Sequence, residues 1–180
     1  SVDDAKELVE SSGYGGETLK LVTMAGLASQ TLMAQVIQQN LAEIGVTVEI
    51  VPLNPTENLT VNYSPEAREP YDLILTGNYA FAKDPIEYIQ FFLGEGQPLN
   101  WTGFADPAAT AGLAEARQVF ETEDRARIIA DLQQYWEDAA VTTSLTMPDL
   151  VTFLADGVTG MTTSSAYLNQ PWLATIGASE

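Results

Sequence analysis

The stretch TLKLVTMAGLASQTLMAQVIQQNLAEIGVTVEIVP, Thr18–Pro52, decides the fold class. Thr18–Thr23 sets Leu19 and Leu21 against Lys20 and Val22, the two-residue period of a strand. From Ser29 to Ile44, the apolar residues Leu32, Met33, Val36, Ile37, Leu41 and Ile44 recur at three and four, which predicts an amphipathic helix. Gly45 supplies the left-handed residue that stops it. Met33 then belongs to the core. Val46–Val51 alternates as a second strand, with Pro52 closing it. Strand, helix and strand over so short a span predict a βαβ unit, a parallel pair with a right-handed crossover.

Upstream, Asp3–Ser12 reads as a short helix with Ala5, Leu8 and Val9 on one stripe, ended by Gly13-Tyr14-Gly15-Gly16. That glycine cluster is a connecting turn: a strand follows it, and the lysine and hydroxyl of a phosphate loop are missing. Downstream, Asn54–Pro70 holds three prolines and no sustained period, which predicts a loop with at most one helical turn. Tyr71–Thr76 is short and apolar, like a strand covered on both faces. It runs into Gly77-Asn78-Tyr79-Ala80-Phe81-Ala82-Lys83, and then Asp84, Pro85 and Glu87 give the cap, first-turn proline and capping-box acid of a helix over Pro85–Leu93. Ligands of open α/β sheets bind beyond the carboxyl ends of strands, which points to Asn78–Asp84.

In the second half, Gly94–Pro98 turns the chain and Asn100–Phe104 is an aromatic loop. Asp106-Pro107 opens a helix expected to reach Phe120, with Leu113, Ala116, Val119 and Phe120 inside. Thr122 is the expected cap of the next helix, whose inner face is Ile128, Ile129, Leu132, Tyr135, Trp136 and Ala139. The two helices should form a hairpin packed on the sheet. Val141–Met147 and Leu150–Ala155 read as strands, Asp156-Gly157 as a turn, and Thr162–Ser165 as loop. Trp172 either packs on its own domain or marks a missing partner surface.

The composition narrows the chemistry. With 180 residues, 46% hydrophobic and 18% charged, the chain is globular and long enough for one domain with a core, or at most two small ones. No apolar run approaches bilayer length, and Ser1–Glu10 reads as helix and not as a signal peptide. That leaves a cytoplasmic chain, or a mature or truncated piece of an exported one. Seven Lys and Arg against 25 Asp and Glu give a net charge of −18, which argues against nucleic acid as a partner. There is no Cys and no His, which removes disulfides, thiolate nucleophiles, Ser-His-Asp triads and His or Cys metal sites. The carboxylates are scattered without metal-ligand spacing, so neither a metal nor another cofactor is expected. Asn58-Leu59-Thr60, Asn62-Tyr63-Ser64 and Asn100-Trp101-Thr102 fit the N-glycosylation pattern, a pattern that often arises by chance.

The order of these pieces resembles the C-terminal lobe of the dipeptide/oligopeptide class of ABC-transporter solute-binding proteins. The resemblance is carried by Gly13–Gly16 before Leu19-Lys20-Leu21, by Asn40–Gly45 before Val46–Ile50, by Tyr71–Gly77 with Asp84-Pro85, and by Asn100–Pro107. It implies an α/β lobe, a mixed, partly parallel sheet with helices packed on it, spanning 1–180 as a single domain. Residues 160–180 are alternatively part of an absent N-terminal lobe. It further implies an extracytoplasmic receptor, periplasmic or a cell-surface lipoprotein, that closes around a peptide or similar oligomeric nutrient and delivers it to an ABC permease. Membrane contact would come only through an anchor outside this segment.

Peptide-binding members of that class usually carry a Trp directly after the glycine of this loop and an Asp three residues beyond, which pairs with the peptide ammonium. Here those positions are Asn78 and Phe81. An ionic anchor of that kind contributes roughly 1.5–3 kcal/mol, so recognition of a free amino terminus is not expected. Asn78, Tyr79, Phe81 and Lys83 are the candidate ligand contacts, with Trp101 a more distant one. Packing is the alternative role for Phe81, and Asp84 is read as a cap. Nickel, a ligand known in the same class, is disfavoured by the absence of His. Two other readings compete with a non-enzymatic receptor: a carboxylate-based glycoside hydrolase using acids such as Asp84 and Glu87, and a non-catalytic acidic surface or adhesion domain.

Overall fold

The computed structural model describes residues 1–77, 84–97, 99–146, 153–164, 170–171 and 176–178. The chain divides into two compact units, Ser1–Asn78 and Tyr79–Glu180.

The first unit is built on three parallel strands, β1 (Leu19–Met24), β2 (Val48–Leu53) and β3 (Leu73–Ile74), in the order β2-β1-β3. Because β1 is central, Leu21, Val22 and Thr23 are all buried, instead of alternating. Leu21 meets Ala34, Met33 and Ile37 of α2 (Ala28–Glu43) on one face, and Val22 meets Val61 of α3 (Pro55–Tyr63) on the other. The result is an α/β/α sandwich, and the α/β class read from the βαβ stretch is what the structure has.

The helix α2 ends as Gly45 predicts: at φ 89° its N–H bonds Ala42 O at 3.1 Å, and Val46 N–H bonds Leu41 O at 2.9 Å. Its apolar stripe is narrower than expected. Leu32 and Val36 are exposed, and Gln30 takes a buried place in the covered arc.

Pro52 does not close β2 but lies inside it. Thr47 O and Leu53 O accept from Leu19 and Ala25, so odd-numbered groups of β2 face β1 and Pro52 faces the outer edge, where its missing N–H is harmless.

Helix α1 (Val2–Ser12) starts from a Ser1–Asp4 capping box; of its stripe, Val9 packs against the core while Leu8 is exposed. The expected loop over 54–70 is wrong. Asn54 caps α3 through Thr56 and Glu57 N–H groups, Glu57 caps in return, and α4 (Pro65–Arg68) follows. Pro55 and Pro65 sit at first helical positions, where they start helices instead of breaking them, and Pro70 lies in the turn after α4.

The second unit packs α5 (Pro85–Leu93), α6 (Pro107–Ala116) and α7 (Thr122–Asp138) around Ile86, Ile89, Leu113, Ala116 and Leu132. A Cβ at Gly112 would stand 2.8 Å from Leu132 Cδ2, so glycine lets α6 and α7 approach closely. The hairpin is present, but α6 stops at Ala116 and Phe120, expected inside, is 88% exposed. Thr122 is not the cap: Glu121 holds that position without a side-chain bond. Ala139, expected on the inner face, is exposed. No strand forms over 141–146 or 153–155, the described parts of the two expected strands; the 156–157 turn is present, with Gly157 at φ 84°. Two short antiparallel pairs follow, β4 (Val158–Thr159) with β7 (Gly177–Ala178), and β5 (Thr163–Ser164) with β6 (Gln170–Pro171). Thr163–Ser164 is thus strand where loop was expected. Trp172 lies outside the described residues.

Candidate functional site

In a parallel sheet all carboxyl ends lie together. At that end of the first unit, the Met24 N–H at the end of β1 donates to Gln30 Oε1 at 2.8 Å, so the buried glutamine satisfies the strand terminus. Beyond β3, Leu75 is buried and its N–H bonds Val22 O at 2.9 Å; Thr76 and Gly77 follow. Asn78, Tyr79, Phe81 and Lys83, four of the five expected contacts, lie outside the described residues.

The chain is described again at Asp84, which caps α5 by accepting Ile86 N–H at 3.0 Å. Its other oxygen accepts from Arg125 Nη2 at 2.7 Å. The Arg125 guanidinium beside it, followed by the Ile86 N–H, holds the Asp84 carboxyl below the usual carboxylate range. Glu87, expected to close a capping box, reaches Arg117 at 3.5 Å instead.

Trp101 sits on a second loop, which is organised by Asn100. The Asn100 amide is buried, donates to Gly94 O at 3.1 Å and Phe104 O at 2.7 Å, and accepts from Thr102 Oγ1 at 3.2 Å and Phe104 N–H at 3.1 Å. Gly94 has no room for a Cβ, which would collide with Gln90 O. The Trp101 ring meets Phe92 edge-on at 5.6 Å, half-buried, and its Nε1 is buried without a partner. Asp106, at the start of α6, is kept low mainly by the Tyr135 hydroxyl, and the same bond raises Tyr135.

The structural roles of three residues were missed by sequence reasoning. Asn100 was read as the start of an aromatic loop and as part of an N-glycosylation pattern of the kind that arises by chance, and its side chain is buried with both ends of the amide bonded. Asn58 is likewise buried. Arg125 carried one signal, a rare cation in an acidic chain placed just inside a helix start. Among the described residues no group of three or more acids could hold a metal ion, and no helix is long and apolar enough to cross a membrane.

A family profile, that of the bacterial extracellular solute-binding proteins, family 5 (middle), matches residues 1–100. The chain belongs to that family. Among solved structures, the clavulanic acid biosynthesis oligopeptide binding protein 2 superposes with a TM-score of 0.87 at 17% identity, over 100% of this chain and 34% of its own. The ABC transporter substrate binding protein CtaP from Listeria monocytogenes gives 0.73 at 25% identity, over 78% and 28%. NikA from Staphylococcus aureus, in complex with Ni(L-His)2, gives 0.67 at 16% identity, over 78% and 30%. A comparison with curated proteins finds no match. The chain spans about a third of the length of these solved proteins. The shared fold does not by itself name a ligand, since one of these proteins is named for oligopeptides and another holds a nickel complex.

Proposed function

We propose that this family 5 chain is the C-terminal lobe of an extracytoplasmic receptor that binds a peptide or similar oligomeric solute and hands it to an ABC permease. The observation that carries the reading is the match of residues 1–100 to the extracellular solute-binding family. Asn78, Tyr79, Phe81 and Lys83 are the proposed contacts, because they follow the carboxyl end of β3, and Trp101 is a further one. The rest of the receptor supplies the opposing contacts, and the solute stabilises the closed form by touching both.

The proposed solute needs no free ammonium group. Phe81 stands where a peptide-binding relative would carry the anchoring acid, and the next carboxylate, Asp84, is committed to Ile86 and Arg125. An amide at Asn78 offers donor and acceptor together, which suits a neutral polar group.

The same pairing speaks against a glycosidase. A catalytic acid needs a raised pKa, whereas Asp84 is lowered and spends both oxygens on Ile86 and Arg125. Calorimetry tests the lobe reading: the 180-residue chain alone should bind its solute far more weakly than the full-length receptor. Equal, tight stoichiometric binding by both would refute it.

A further inference from the structure

The strand β2 is terminal in the order β2-β1-β3, so among the described residues no strand pairs with its outer edge. Odd-numbered groups of β2 bond β1, which leaves the backbone groups of Val48, Ile50 and Pro52 pointing outward. Val48, Ile50 and Val51 are β-branched and suit a strand. Open edges of this kind recruit further strands, and a self-complementary partner is a second copy of the same edge. Its two-fold arrangement is antiparallel, with Ile50 opposite Ile50 of the copy and Val48 opposite Pro52 of the copy.

In that arrangement the N–H of residue 52 would donate to the Val48 carbonyl across the two-fold, once on each side. The bond is disabled at both ends. Pro52 has no N–H to give. The Val48 carbonyl already accepts from Gln38 Nε2 at 2.7 Å, a partly buried bond made from α2. We infer that Gln38 and Pro52 together close this edge of the sheet against a second copy of the chain. Each blocks the same bond from its own end, so removing one leaves the other in place. The net charge of −18 opposes association at a distance and weakens with salt, whereas these two residues act at contact.

The test uses the full-length protein with Gln38→Ala, Pro52→Val and the two combined. Salt of about 1 M limits the reach of charge to about 3 Å. Sedimentation velocity over a concentration series reports the dimer, and hydrogen exchange at the Ile50 amide shows whether this edge forms it. The native protein and both single variants should remain monomeric. At equal concentration the combined variant should hold at least about tenfold more dimer, from two recovered hydrogen bonds, with exchange at Ile50 slowing as the dimer grows. Leu113→Ala, weakened in the other unit, should stay monomeric while folded, and Gln38→Ser/Pro52→Val repeats the test with a polar residue at position 38.

A folded combined variant that stays monomeric overturns the inference. So does a dimer without added protection at Ile50, or one formed as readily by either single variant or by Leu113→Ala. Loss of the fold in both combined variants overturns it too, since the two residues would then hold the monomer together instead of guarding its edge.

Discussion

Asn100 grips Phe104 at both backbone groups: its amide donates to the Phe104 carbonyl at 2.7 Å and accepts the Phe104 N–H at 3.1 Å. One side chain thereby closes the turn that carries Trp101 and leads into α6. Because Asn100 is 5% exposed, no water replaces these bonds when the amide is lost. Asn100→Ala should destabilise the protein by about 2–4 kcal/mol, read as a drop in urea midpoint at unchanged slope. A loss below about 0.5 kcal/mol, within the range of ordinary surface changes, would mean that the amide is dispensable.

Leu113 and Phe120 were both expected inside the helix hairpin, and only Leu113 is there, at 3% exposed against 88%. Leu113→Ala should cost about 2–5 kcal/mol through the cavity it leaves among Ile86, Ile89 and Leu132. Phe120→Ala should stay within about 0.5 kcal/mol. Thermal melting of the two variants side by side checks the contrast, and equal losses would place Phe120 in the core after all.

The Asp84 carboxyl ionises below its ordinary value of 3.8 in the folded chain, with the Arg125 hydrogen bond the largest cause. Folding thus favours the charged form. Its contribution is complete above that ordinary value and is lost as pH falls through the lowered one. Asp84→Asn should be less stable than the native chain at pH 7, and the gap should close as pH falls below about 4. Urea midpoints from pH 7 to pH 2.5 measure this. A gap of constant size over the whole range would assign Asp84 a role independent of its charge.

Much of the fold was legible because periodicity records burial. Leu19 and Leu21, the α2 stripe and Gly45 together led to a parallel pair, which β1 and β2 form. What periodicity does not record is which strand becomes central, so Val22 was assigned to the polar side and is instead buried against α3. The segment 54–70 was misread because Pro55 and Pro65 were taken as breakers. Asn54 and Glu57 three residues apart were the signal for a helix start, visible but not used. Asp84 as a cap was legible from Asp-Pro alone. Its partner Arg125 was not, because the two are 41 residues apart and only the packing of α5 on α7 joins them. Asn100 was hidden for a like reason: its four bonds depend on a turn whose shape nothing local announces.

If, as proposed, residues 78–83 of this family 5 chain contact a solute, the occupancy of the full-length protein shows it. Native mass spectrometry should find a small solute bound to the native protein and its occupancy reduced at least about tenfold in the Asn78→Ala/Tyr79→Ala variant, the loss of roughly one charge-free hydrogen bond and one stacking contact. A variant with native melting behaviour and undiminished occupancy would contradict the account.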